Sequence, residues 1–234
     1  MKGLEAFQEL VQKRRAVRHF KSDSIEDDLL LKLLDCARWA PSGYNLQPTH
    51  YVVVTDAGLK KEMLKPCMGQ SQVLEAPAVV VFAGDHNVVE NQFSAILEHE
   101  IAEGMIDQNF REIQEKYVSL AFSRGWMGLG RLAKWAYSKV MPYFIPVPSI
   151  PAIDMRNWLI KQVMLSAMNF MLAAESAGLA TVPMEGFDGQ RIQKILGLPQ
   201  TLEVALVVPV GYEDGETRGR YRLPLEHFIH WNRW

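Results

Sequence analysis

Two arginine clusters stand near opposite ends of this chain, Arg14-Arg15-Ala16-Val17-Arg18 and Arg220-Tyr221-Arg222-Leu223-Pro224. A guanidinium is a planar fork of N–H donors that suits a phosphate through paired, charge-assisted hydrogen bonds. Two segments of a different chemistry lie between the clusters. In Pro41-Ser42-Gly43-Tyr44-Asn45-Leu46-Gln47-Pro48, the amides of Asn45 and Gln47 carry donors and acceptors that match the polar edge of a heterocycle. In Pro183-Met184-Glu185-Gly186-Phe187-Asp188, a Pro-x-x-Gly turn can bring backbone N–H groups close to a flat ring. Each segment also has a plainer reading. Lys13, Arg14 and Arg15 suit the negative end of a helix dipole. The 41–48 stretch is a turn, Asp188 is a helix N-cap, and Arg220 with Arg222 is a solvated pair.

The elements that must position these residues follow from hydrophobic periodicity. Leu4, Phe7, Leu10 and Val11 predict a helix over 4–14, which delivers the first cluster at its C-terminal end. Ser24 with Asp27 predicts the start of a second helix, which runs to about Trp39 and stops at Pro41; Cys36 inside it is expected to be a buried small hydrophobe. Buried strands are expected at Tyr51–Thr55, Ala78–Ala83 and Val204–Val210, and helix over 87–118. Residues 154–178 are apolar on nearly every face, which predicts a helix shared between the core and a subunit interface. Asp188 caps a short helix ending near Gly197. The tail from Gly215 holds Phe228, His230, Trp231 and Trp234, and is expected to lie on another surface, that of a partner subunit.

Residues 119–152 mix Phe122, Trp126, Trp135, Tyr137, Tyr143 and Phe144 with Arg124, Arg131, Lys134 and Lys139, and carry a proline-rich stretch from Pro142 to Pro151. They are expected to cover a substrate pocket, with Phe122 and Trp126 as substrate-binding residues. A membrane-surface contact or an ordinary helical excursion are the other readings.

Composition narrows the classes. The 234 residues are 48% hydrophobic and 22% charged, enough for one sizeable core without demanding two domains. Net charge is -2 and the pI about 6.3, so the arginine clusters are a local feature and do not mark a general nucleic-acid binder. Cys36 and Cys67 are too few for a disulfide framework or a zinc site, which points to the reducing cytoplasm. Met1-Lys2-Gly3-Leu4-Glu5 carries an acid and is unlike a signal peptide, and no apolar run is long enough to span a membrane. Gly-x-Gly-x-x-Gly after a strand, a Walker A loop, His-Glu-x-x-His and a nucleophile elbow are all missing. Glu98-His99-Glu100 reads as a solvated helical face, because adjacent helical residues diverge. No metal site and no catalytic side chain is assigned.

The four segments, in this order, resemble the FMN-dependent nitroreductase family over most of the chain. The resemblance implies an α+β fold of three layers, helices on both faces of a mixed central sheet, in an intertwined homodimer with two FMN sites at its interface. It implies that Arg14, Arg15, Ala16 and Arg18 bind the flavin phosphate, with Ala16 where serine is frequent, and that Arg220 and Arg222 face the same phosphate. Pro41, Ser42 and Gly43 would line the flavin bound mainly by the other subunit, with Asn45 and Gln47 supporting that loop or touching flavin and substrate. Pro183, Met184, Glu185 and Gly186 would bind the ring, the Glu185 N–H facing flavin N5. Gln70 or Gln72 could also reach the flavin, although the family's asparagine position holds Gly69. The activity implied is ping-pong reduction of nitroaromatic, quinone or similar small electrophiles with NADH or NADPH through non-covalent FMN. A reductive dehalogenase, a ring oxidase of the same superfamily and a non-catalytic flavin sensor are the alternatives.

Overall fold

Four strands form one sheet in the order β1-β2-β4-β3: β1 (Thr49–Val54), β2 (Ala78–Asp85), β3 (Ala180–Thr181) and β4 (Leu202–Gly211). In this computed structural model, the structure describes residues 2–123, 125, 128–215 and 219–234. The three ladders are antiparallel; the parallel component is a bridge from Ala16 to Thr181 on the outer side of β3. β2 and β4 are the central strands. β2 is buried throughout, as its continuous apolar run predicts. β1 is an edge with a single neighbour, so only Val54 is fully buried and Val53 stays 37% exposed.

Strand alternation splits the core into two faces. Ala78, Val80 and Phe82 of β2 with Leu206, Val208 and Val210 of β4 pack against α2 (Asp27–Arg38) and the long α8 (Met155–Ser176). Val79, Val81, Val204 and Val207 face α3 (Ala57–Leu64), α4 (Gln72–Glu75) and α9 (Gly189–Ile195). The register shifts between Phe82 and Ala83, which pair with Leu206 and Val204. Skipping Ala205 keeps Val204 on the same face as Val207 despite their odd spacing. A third cluster joins Leu46 to Val88, Phe93 and Leu97 of α5 (Val88–Ala102) and Val118 of α6 (Gln108–Phe122).

The structure corrects several expectations. The second helix begins at Asp27 with Glu26 at its N-cap and no side-chain cap bond, so Ser24 does not start it. Cys36 is exposed, because Leu30, Leu33 and Ala37 form the buried face of α2. Residues 87–118 are divided between two helices: the first ends before Gly104, at φ +67, and Asp107 starts the second by accepting the Phe110 N–H at 2.7 Å. α8, by contrast, is capped by Asp154 and buries one face, while Leu165 and Met168 stay 46% and 38% exposed, in keeping with a helix only partly covered by its own core. The tail's Trp231 and Trp234 lie outside the core as well.

Candidate active site

α1 (Lys2–Lys13) runs out into the first arginine cluster, and a strand-like path carries that cluster along β3. The Val17 N–H donates to Thr181 O at 3.1 Å, the Lys21 N–H to Tyr212 O at 2.9 Å, and Val17 and Phe20 are buried anchors. The second cluster arrives from 206 residues away. The Arg220 guanidinium donates to the carbonyls of Arg14 at 2.5 Å, Val11 at 2.9 Å and Gln12. Arg14, Arg15, Ala16, Arg18, Arg220 and Arg222 thus line one cavity of about 550 Å³, with His19 and Asp214. Arg220 accordingly caps the C-terminal carbonyls of α1, the negative end of its dipole. It supplies charge to the cavity while its fork holds the helix.

Arg14 bears the cost of that gathering. Its side chain is half-buried, and Nη1 is covered without a partner among the described residues. Burial lowers its pKa first, Arg220 lowers it further, Glu175 opposes the shift, and Arg222 adds to it. A covered guanidinium N–H beside other cations suits an anion. That is the observation by which the pocket fits a phosphate.

The Pro183–Asp188 loop follows β3 directly. Met184 is buried and exchanges backbone hydrogen bonds with Val207, its N–H donating at 2.9 Å and its carbonyl accepting at 3.3 Å. Glu185 O accepts the Phe187 N–H at 3.0 Å across a tight turn at Gly186. Asp188 caps α9 by accepting the Arg191 N–H at 3.1 Å. The Glu185 and Gly186 N–H groups have no acceptor among the described residues. The Ala16–Thr181 bridge sets the arginine segment beside β3, the strand from which this loop departs, while Glu185, Phe187 and Asp188 line a separate cavity of about 810 Å³ with Met164 and Ala205. The Glu185 carboxylate itself is exposed.

The Pro41–Pro48 loop lies at the other edge of the sheet, where it leads into β1. Leu46 is fully buried and anchors it. The Gly43 N–H donates to Gln162 Oε1 of α8 at 3.0 Å, and the Gln47 N–H to Ser42 Oγ at 2.9 Å. Asn45 donates to Glu100 at 2.8 Å, and Gln47 donates to Asn45 Oδ1 at 3.4 Å. Of the two roles implied for these amides, the structure shows loop support. Tyr44, Asn45 and Gln47 have φ of 56, 53 and 49, on either side of a right-handed Leu46, and the left-handed conformation costs Tyr44 and Gln47 about 1 kcal/mol or more apiece. Pro41, Ser42 and Gln47 line a separate cavity of about 210 Å³ with Arg38, Gln92 and Gln162.

Phe122 belongs to this edge too. Its ring meets Tyr44 edge-on at 6.0 Å and Trp158 at 4.9 Å, and a side chain on Gly43 would come within 3.3 Å of the Trp158 indole nitrogen. Phe122, Ser119, Ser123, His86, Glu90 and Met155 line a cavity of about 640 Å³. Trp126 lies outside the described residues. After α6 the chain forms α7 (Leu129–Val140) and the irregular proline-rich run that Pro142 to Pro151 predicts. Sequence reasoning missed Trp158 and Gln162 as site residues, because Gln162 is one of several polar residues in α8 and Trp158 reads as part of its apolar surface.

Two halves therefore stand apart. From β1 to β3 there are three strand intervals, about 14 Å in all, and the arginine segment lies one interval further out. The nitroreductase family model matches residues 11–212. A Thermus thermophilus protein named NADH dehydrogenase is 32% identical over 219 residues, covering 94% of this chain and 92% of its own. An oxygen-insensitive NAD(P)H nitroreductase of Enterobacter cloacae is 28% identical over 208 residues, with 85% and 86% covered. Among solved structures, a candidate nitroreductase of Exiguobacterium sibiricum 255-15 in complex with FMN has the same fold, with a TM-score of 0.75 at 22% identity and 97% of each chain covered. Since the match runs from the last turn of α1, through the cover loop at one edge and the Glu185 turn at the other, to the end of β4, this chain belongs to the nitroreductase family.

Proposed function

We propose that the chain is one FMN-binding unit of an NAD(P)H-dependent oxidoreductase that reduces small electrophilic acceptors, nitroaromatics and quinones among them, as a homodimer. The nitroreductase family uses FMN, with NAD(P)H as reductant. The single observation that carries the reading is the covered, unpartnered Arg14 Nη1 in a cavity closed by both arginine clusters.

The chemistry supplied at such a site is hydride transfer from NAD(P)H to the acceptor through FMN. The chain's own part is to bind and to orient. Arg14, Arg15 and Arg18, with Arg222 beside them, take the phosphate, and Arg220 holds the helix end that presents Arg14. The Glu185 and Gly186 N–H groups offer fixed donors where electron density builds, so no reorganisation is needed during transfer. No protein side chain has to supply or remove a proton at the hydride step. Pro41, Ser42 and Gly43 lie at the opposite sheet edge from the arginines, so they serve the site of a second copy. Phe122, braced on Tyr44 and Trp158, forms a wall for the acceptor, and Trp126 is assigned there from sequence alone.

The test is direct. Purified protein, heat-denatured, should release a yellow chromophore carrying one phosphate. Steady-state turnover of NADH or NADPH with a nitroaromatic or quinone should give the parallel double-reciprocal lines of a ping-pong enzyme. Protein that cannot be loaded with FMN would overturn the reading. Loaded protein that binds flavin without repeated turnover would be a sensor.

A further inference from the structure

Two loops are fastened together behind the Glu185 turn. Residues 65–71 link α3 to α4, and the second loop is 183–188. The Asp188 N–H donates to Pro66 O at 2.8 Å. The Gln70 amide nitrogen donates to Gly186 O at 2.9 Å and to Cys67 O at 3.1 Å. Behind it, the buried Gln72 donates to Gln70 Oε1 at 3.0 Å, which fixes the amide's orientation. The Gly186–Phe187 peptide is thus pinned at both ends, its oxygen by Gln70 and its N–H by Glu185 O. The Met184 carbonyl is pinned by the Val207 N–H. In a trans peptide the N–H points away from the carbonyl. Holding the carbonyls of Met184 and Glu185 inward therefore turns the N–H groups of Glu185 and Gly186 outward together.

We propose that Gln70, oriented by Gln72, is the positioning residue of this site: it holds the Glu185–Gly186 turn so that two adjacent N–H donors face the bound flavin. The proposal rests on the FMN reading above and goes beyond it, since that reading gives Gln70 no part. Gly186 fits this frame for a local reason. Its φ is not in the left-handed region, and a Cβ there would come within 3.3 Å of the Gln70 nitrogen. A side chain at 186 would therefore press on the Gln70 amide, while the backbone angle itself sets no demand for glycine. A rigid donor pair matters because a misplacement of about 1 Å at a reacting site can cost roughly 100-fold in rate.

Gln70→Met tests this in the FMN-loaded protein, because methionine keeps the length and loses the donor. The expected result is a roughly 10- to 100-fold slower flavin reduction by NADH or NADPH in stopped flow, with a more negative flavin midpoint potential. The FMN dissociation constant should change by less than about threefold, as misplacement leaves the phosphate contacts intact. Gly186→Ala, which displaces the Gln70 amide by a few tenths of an ångström, should change rate and potential in the same direction but less. An unchanged potential and rate in Gln70→Met would overturn the proposal while leaving the FMN reading in place. Loss of FMN from Gln70→Met would also overturn it, by making Gln70 a flavin ligand. If wild-type protein takes up no FMN, the reading beneath it fails instead.

Discussion

The arginine pocket and the cover loop solve opposite physical problems. The pocket concentrates like charge and leaves a donor unmatched: Arg14 is half-buried next to Arg220, with Nη1 unpaired among the described residues. The cover loop concentrates backbone strain and leaves little unmatched: three left-handed residues are held by Gln162, Ser42, Glu100 and the buried Leu46. One region offers a charged donor suited to a ligand, and the other is fixed in shape by its own contacts. The first should therefore govern cofactor affinity, and the second the choice of acceptor.

Arg14→Met is expected to produce the largest effect. Losing one charged hydrogen bond costs about 1.5–3 kcal/mol, so FMN binding should weaken roughly 10- to 100-fold, while riboflavin, without the phosphate, should bind as before. The ligand-free variant should melt higher than wild type, because the uncompensated guanidinium is gone. Titration calorimetry and a thermal melt check both signs; a variant that retains FMN affinity would break the contrast between the regions.

Phe122→Ala should do the converse. Removing the ring that braces Tyr44 should change the ratio of kcat/KM between a quinone and a nitroaromatic by about tenfold, with FMN retention unaffected. A flat acceptor profile together with lost FMN would move Phe122 into the cofactor half.

Asn45→Asp sets a carboxylate against Glu100 and should lower stability by roughly 1 kcal/mol at neutral pH. The like charge raises the pKa of the pair, so the deficit should shrink as pH falls towards about 4.5 and one carboxyl takes up a proton. Melting curves from about pH 8 down to about pH 4 would show it, and a deficit independent of pH would argue against the Asn45–Glu100 contact.

The smallest effect belongs to Glu203, which accepts from His86 and Arg156 at 2.7 and 2.5 Å. Burial pushes its carboxyl up, but hydrogen bonds from Arg156 and His86 outweigh that and hold it below the ordinary range. A depressed folded pKa stabilises the protein above the unfolded value near about 4.3, and that stability is lost as pH falls through the folded one. Glu203→Gln should therefore narrow the Tm gap from wild type as pH drops below about 4.3. A gap that stays constant would show that the ion pair contributes nothing.

Residue type made the arginine half legible. Guanidinium clusters flanking a core of apolar strands have few uses, and Arg14, Arg15, Arg18, Arg220 and Arg222 do meet in one cavity. The role of Arg220 was not legible, because it depends on where three helix carbonyls point. Nor was the strain at Tyr44 and Gln47, residues with no left-handed preference that adopt it because tertiary contacts outweigh it. Gln70 and Gln72 carried no periodic signal, since the turn that Gln70 holds lies 116 residues later. The break at 103–107 could have been read from Gly104 and Asp107, both standard boundary residues. The start of α2 at Glu26 could not, because no side chain there makes a cap bond.

The Arg220 clamp also sets an order of events during synthesis. The carbonyls it caps lie at the end of α1, and their partner is made 206 residues after Arg14. At about 5–20 residues per second, roughly ten to forty seconds separate the two. For most of that interval the central strand β4 is also missing, so the sheet, the cap on α1 and the wall of the arginine cavity are completed close together. A cavity walled by both arginine clusters is thereby deferred until Arg220 has been made.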